Sequence, residues 1–311
     1  MTGEPKVRTL LGDIEPARLG VTDSHDHLFF ASKLLPGEEL DDPGAALDQL
    51  VRFKAAGGGT LVQWTPYGLG RRTGELARLS RETGIHIVAA TGLHRAAHYS
   101  PAVLGAVADD LVRIFVADLT EGTGPAELPE DLRARQRAGL IKVAGGFHTI
   151  DAHARTTLTA AAVAQEETGA PIAVHLELGT AGLEAAELLC GTLGVPADRV
   201  ILGHLNRNPD LRVLRAIAGT GVFLAFDAPS RANHATDWRL TDCLEALVEA
   251  GHGDQLLLGG DTTTATARRE VGVPYLLETL APRLAKFLGD DVVTAMLVAN
   301  PARAFATSWS R

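Results

Sequence analysis

Cysteine is nearly absent from this chain. Only Cys190 and Cys243 occur among 311 residues. Each lies in a stretch with helical spacing, and neither belongs to a CxxC or CxxH ligand pattern. Two cysteines make no disulfide framework, and both read as small buried apolar residues. Long apolar runs are missing as well: none approaches the roughly 18 residues needed to span a bilayer. The opening Met1–Lys6 is polar and lacks the apolar stretch of a signal peptide. A soluble, cytoplasmic protein without a membrane partner is expected. Basic runs are lacking too. With 38 acidic against 29 basic residues the net charge is −9, which argues against nucleic acid as a partner.

What is present is ordinary globular composition, 46% hydrophobic and 22% charged, on a chain long enough to bury a substantial core. Short apolar or β-branched runs alternate with longer amphipathic stretches. The spacing predicts strands at Leu19–Asp26, Gly59–Trp64, His86–Thr91, Leu140–Ala144, Pro171–His175, Val200–His204, Val222–Asp227 and Gln255–Asp261. Helices are expected at Ala45–Ala56, Thr157–Glu167 and Asp210–Ile217, each with Gly or Pro punctuation outside it. Strands alternating with helices give parallel α/β units. The count of eight favours a closed (β/α)8 TIM barrel over an open sheet. No linker or low-complexity run divides the chain, so residues 1–311 are read as one domain. Residues 1–18 are read as a small lid at its N-terminal end, and Glu121–Pro129 as a surface loop.

Polar residues recur where these strands end. His25 and His27 close the first as a His-x-His pair, and residues two apart on a strand share a face, so both rings reach one metal ion. Lys142 lies on the fourth strand, His175 on the fifth, His204 on the sixth and Asp261 on the eighth. Barrel enzymes assemble their sites at these C-terminal ends. Each residue has a plainer reading alone: core histidines with satisfied hydrogen bonds, and Asp261 as a helix N-cap. Lys142 is the hardest to set aside. An apolar strand that buries an ammonium incurs a desolvation cost unless the charge is paired, with Asp261 for instance, or chemically changed. Carboxylation by carbon dioxide makes Lys142 an anionic ligand able to bridge two metals.

The chain resembles the phosphotriesterase family of the amidohydrolase superfamily over nearly its whole length. Gly20–Leu28 is similar to that family's His-x-His strand, and Ala138–Ala144 to its carboxylated-lysine strand. Ile201–His204 and Gly259–Asp261 resemble its sixth and eighth strands; Pro274–Leu277 and Asn300–Arg303 resemble its closing segment. The resemblance implies that His25, His27 and Asp261 hold a more buried metal, and His175 and His204 a more exposed one. Carboxylated Lys142 and a hydroxide bridge the two. Two cations roughly 3.5–4 Å apart make a nucleophile near neutral pH, and Asp261 relays the proton. Zinc suits the ligand set, with manganese, cobalt or iron as alternatives.

Substrate choice belongs to the loops. Gly203–Asp210 resembles the branch of the family that opens sugar lactones. The acidic residues and the histidine that mark organophosphate hydrolases are replaced by Leu205-Asn206-Arg207 and by Ala228 after Asp227. Thr262-Thr263-Thr264 stand where the phosphosugar branch carries basic residues, and Arg231, Arg268 and Arg269 read as solvated surface or as substitutes for those. A neutral or hydroxylated lactone or ester is the expected small-molecule substrate, with phosphotriester hydrolysis as the alternative. A mononuclear deaminase and a non-catalytic relic barrel are the rivals of other classes. Trp64 is read as a substrate contact or as a filler of the barrel mouth. His94, His98 and Tyr99 are further pocket candidates, the two histidines spaced as a ligand pair on a helix. The family resemblance allows a homodimer.

Overall fold

Alternation within short apolar segments decides the architecture. In the computed structural model, which describes residues 4–123, 136–228 and 235–310, all eight expected strands form, six of them trimmed at their ends. They follow a short antiparallel hairpin made of β1 (Val7–Thr9) and β2 (Gly12–Ile14). The eight are β3 (Thr22–Asp26), β4 (Thr60–Gln63), β5 (His86–Thr91), β6 (Leu140–Ala144), β7 (Ile172–His175), β8 (Val200–Gly203), β9 (Phe223–Asp227) and β10 (Leu256–Gly259). They pair in parallel, in chain order. The ring closes where the amides of Gly260 and Asp261 both donate to the His25 carbonyl at 2.9 Å. The result is a nearly closed (β/α)8 barrel with its helices outside.

Two of the three expected helices are longer than their apolar periodicity, and the third is shifted by one residue. The first is Pro43–Ala55, with the Asp42 carboxylate accepting from the amides of Gly44 and Ala45. The second runs over Ala152–Thr168, capped by Asp151 and stopped by Gly169 in the left-handed region. The third is Leu211–Ala218, capped by Asp210. Acidic caps satisfy amides that the apolar pattern does not mark. Cys243 is buried in helix Leu240–Glu249, and Cys190 is half-buried in a π-helical turn, Glu187–Thr192. Among the described residues no helix is long and apolar enough to cross a membrane. Part of the expected Glu121–Pro129 loop lies outside the described residues.

Strand period two separates two cores. Ile141, Val143, Ile172, Val174, Leu202 and Leu258 face the outer helices. Val62, Trp64, Val88, Leu140, Ala173, Ile201, Ala225 and Leu257 fill the barrel interior. Val7, Ile14, Leu19 and Phe305 join that inner cluster. The hairpin lies against the strands' N-terminal ends, where the Leu10 amide donates to the Ile87 carbonyl at 2.9 Å. An added Cβ at Gly139 would meet the Arg8 carbonyl oxygen at 2.2 Å. With one end of the barrel packed, inward residues at the other end are free to form a site.

Candidate metal centre

The period that sends Leu140 inward also sends Lys142 inward, one layer higher. The same count places His175 above Ala173 and Asp227 above Ala225. His25 is on β3, and His27 lies one residue beyond its end. His204 follows β8 directly, and Asp261 stands two residues past β10. Both of the latter adopt the left-handed region, with φ of 64° and 53°, which His and Asp tolerate better than most residues. Their side chains thereby turn back over the barrel mouth. All six candidate residues line one cavity of about 290 Å³, together with Phe30, Leu34, Leu35, His94, Arg95, His98, Glu177 and Thr263.

Ring nitrogens and carboxylate oxygens converge there. Asp261 Oδ1 is 3.4 Å from His25 Nε2 and 3.7 Å from His27 Nε2, and its Oδ2 is 3.6 Å from His204 Nδ1. His204 Nε2 lies 2.7 Å from His175 Nδ1. His25, His204 and Asp261 bring one ligand atom each within 4.8 Å of one another. Behind the rings stand orienting partners. Asp227 Oδ1 lies 2.8 Å from His25 Nδ1, and its Oδ2 2.6 Å from His204 Nδ1. His27 Nδ1 meets Thr65 Oγ1 at 2.7 Å, and His175 Nε2 meets Glu177 Oε2 at 3.0 Å. Such partners fix tautomer and ring angle in metal sites. The same Glu177 oxygen, Oε2, is also paired with Arg95. Arg207 reaches in from the loop after β8, 2.9 Å from Asp237 and 3.9 Å from Asp261.

Lys142 is 2% exposed. Its ammonium makes no ion pair or hydrogen bond with any described residue; Asp261 lies instead against His25, His27, His204 and Arg207, so the plainer reading of a Lys142–Asp261 pair does not form. Burial pushes its ammonium down to about 7, and the Asp261 charge only partly opposes this. Burial, then neighbouring positive charge, also holds His27, His94 and His175 well below the usual histidine range. These rings are neutral at pH 7, the form that ligates a metal. His98 is pushed to about 4 by burial and by Lys142, Arg95 and Lys33. Burial would lower His204 as well, but the carboxylates of Asp227 and Asp261 outweigh it and raise it. Asp227 is held far below the carboxylate range against its burial by His204 and His25.

Several sequence expectations are corrected. Trp64 is fully buried beneath the cavity and stacks on His25, so it fills the barrel rather than meeting a substrate. Tyr99 is buried behind the wall: its hydroxyl accepts from the His94 amide at 2.8 Å and donates to the Tyr67 carbonyl at 3.1 Å. His94 and His98 do line the cavity. Their rings stack with centroids 4.0 Å apart, and His94 Nδ1 already accepts from the Arg95 amide. Asp261 caps no helix; Thr264 caps the helix Ala265–Glu270. Arg268 is buried rather than solvated and donates to the Leu28 carbonyl. Arg269 is tied to Thr266 at the surface, and Arg231 lies outside the described residues.

The sequence reading passed over Asp227, Thr65, Glu177 and the buried pair Asp23 and Asp26. Asp227 carries the same signal as the other site residues, a polar group on the inward face at a strand end. Burial, then the Asp26 charge, raises the Asp23 carboxyl well above the carboxylate range. The remaining donors fit divalent cations: four imidazoles with outer partners, one carboxylate, and a lysine whose burial nothing else neutralises.

The sequence pattern of the Phosphotriesterase family matches residues 5–305. The chain is 31% identical over 322 residues to a phospho-furanose lactonase of Mycoplasmopsis synoviae, covering 96% of this chain and 91% of that protein. It superposes on the crystal structure of a lactonase from Listeria monocytogenes with a TM-score of 0.85 at 29% identity, covering 96% of this chain and 98% of the other. A mutant of a phosphotriesterase-like lactonase from Deinococcus radiodurans gives a TM-score of 0.84 at 28% identity, covering 96% and 99%.

Proposed function

The chain belongs to the phosphotriesterase family, and from that premise we propose that it is a metal-dependent hydrolase of ester bonds that opens lactone rings. Lys142 carries the reading. A fully buried lysine whose ammonium has no hydrogen-bond or ion-pair partner among the described residues, and is pushed down to about 7, presents the neutral amine that adds carbon dioxide. The carbamate adds anionic oxygens to a set that otherwise holds four imidazoles and one carboxylate.

His25, His27 and Asp261 would hold one divalent cation, His175 and His204 the other, with carboxylated Lys142 shared between them. Zinc suits these donors, and manganese, cobalt or iron are alternatives. Cations held there would supply Lewis acidity, lowering the pKa of a water and polarising the ester carbonyl. Asp261 faces both histidine groups, so it accepts the proton of the attacking water and passes it to the alkoxide leaving group. Asp227 and Glu177 hold the rings in register. Phe30, Leu34 and Leu35 give the cavity an apolar side, which excludes water around the ring.

Two observations favour a carbonyl over a phosphoryl substrate. Both carboxylate oxygens of Asp227 are engaged by His25 and His204, and buried Ala228 follows it, so among the described residues no proton relay leads away from the seventh strand. Thr263, a neutral hydroxyl, lines the cavity, which supports a neutral or hydroxylated lactone. The scarcity of cysteine supports a cytoplasmic setting. Metal analysis combined with rates on lactones, phosphorylated lactones, carboxylic esters and phosphotriesters tests the proposal. Two metal equivalents and the highest kcat/KM on a lactone are expected. Turnover of a phosphotriester or amide with none of any lactone would overturn it.

A further inference from the structure

The barrel closes between β3 and the segment just after β10, and the contacts at that seam are unusually specific. Asp23 Oδ1 accepts from two amides, those of His25 at 3.1 Å and Gly260 at 3.2 Å. Asp26 Oδ1 does the same for His27 at 2.7 Å and Thr262 at 2.9 Å. Each acid thus ties the backbone of one histidine of the His-x-His pair to the backbone of a residue flanking Asp261. The Asp261 amide itself donates to the His25 carbonyl. Three consecutive amides are captured from β3, and the residue at their centre sits in the left-handed region. That conformation costs a non-glycine residue free energy and persists only where its surroundings over-determine it. Both acids are fully buried, so no water competes for these bonds. A Cβ at Gly260 would come within 2.1 Å of Asp26 Oδ2, so the acid occupies the space that a side chain would need.

We propose that Asp23 and Asp26 are positioning residues that set His25, His27 and Asp261 relative to one another by clasping the seam of the barrel. Neither touches the cavity, and neither is needed for the chemistry beyond this. The inference rests on the assignment of Asp261 to the reacting centre, but the clasp itself is a property of the protein without metal.

Three variants separate the possibilities. Asp26→Ala removes the acceptor shared by His27 and Thr262. Asp26→Asn keeps a side-chain oxygen in its place and preserves both bonds. Asp23→Asn makes the same replacement on the other arm. Hydrogen exchange, read by mass spectrometry on the metal-free proteins, should be at least tenfold faster for the peptide holding Gly260–Thr262 in Asp26→Ala. Both Asn variants should stay within about threefold of wild type. Titration with Co2+ should show at least one of the two ions bound tenfold or more weakly by Asp26→Ala, with kcat reduced at least thirtyfold and KM within threefold. Unchanged exchange at Gly260–Thr262 in Asp26→Ala overturns the clasp, whatever the activity. Faster exchange with unaltered Co2+ affinity and kcat overturns its positioning role. If Asp26→Ala does not fold, an Asp26→Asn protein as impaired as a scrambled site, despite native exchange, also overturns it. A wild type that binds no Co2+ defeats the metal-site reading instead and leaves the exchange result to decide the clasp.

Discussion

Trp64 stacks on His25, with ring centroids 3.8 Å apart and planes 22° apart. The indole Nε1 donates to the Ser24 carbonyl at 2.8 Å, so the ring is fixed from below and forms the floor on which His25 rests. Trp64→Phe keeps a ring and loses that bond. It is expected to cost about 1–3 kcal/mol of stability in denaturant melts while KM for any substrate stays within twofold. Trp64→Ala removes the floor and should cost about 3–5 kcal/mol. A Phe variant of unchanged stability with KM raised tenfold would place the indole in the substrate cavity after all.

Asp227 holds two rings from strands that are not neighbours, His25 on β3 and His204 beyond β8. Asp227→Ala frees both Nδ1 atoms, so both tautomers and both ring angles loosen. Metal affinity, measured by competition with a chelator, should fall roughly 10–100-fold. Asp227→Asn offers one acceptor oxygen and one donor nitrogen, so it satisfies only one of the two N–H groups and should lie between. Equal affinities in all three proteins would remove Asp227 from any role in the centre.

The buried Lys142 makes two pH predictions with definite signs. The amine that reacts with carbon dioxide is the neutral one, and its fraction rises through about 7. One unit below that value only about a tenth is free. Reconstitution of metal-free protein with divalent metal and bicarbonate should therefore accelerate as pH passes through 7, and Lys142→Met should not reconstitute at all. The second sign concerns stability. The folded value lies below the unfolded 10.5, so between about 7 and 10.5 the unfolded chain binds the extra proton. Metal-free wild type should gain stability relative to Lys142→Met as pH rises across that window. A flat difference between the two melts would show that Lys142 is not desolvated.

Much of this was legible in the sequence because the signals were local. Eight apolar runs mark eight strands, and strand alternation alone sends Lys142 and His175 into the mouth. Other features depend on distant contacts. Whether Trp64 meets a substrate or a histidine turns on how far its strand has climbed, which periodicity does not encode. Tyr99 belongs to the cavity wall through hydrogen bonds to His94 and Tyr67, one of them 32 positions away. Arg268 reads as solvated on its short helix, yet the carbonyl it serves is 240 positions away. Asp23 and Asp26 look like ordinary polar residues beside a ligand motif until the seam brings Gly260 and Thr262 against them.

Gly92 follows β5 with φ of 101°, and a Cβ there would lie 2.0 Å from the Lys142 carbonyl oxygen. Two separate penalties therefore apply to Gly92→Ala: a conformation that L residues avoid, and overlap with the backbone that carries Lys142. Gly12 isolates the first, since it has φ of 122° with nothing within 4 Å of its would-be Cβ. Gly12→Ala should cost about 1–3 kcal/mol from conformation alone. Gly92→Ala must also push β6 away from β5, and overpacking of this kind adds about 1–3 kcal/mol more. Any folded fraction should hold metal more weakly, because the displaced strand carries the residue shared by both cations in the proposed site. Paired denaturant melts of the two variants check the argument. Equal losses in the two would mean that β5 and β6 part without cost, and that the close approach does not fix Lys142 in place.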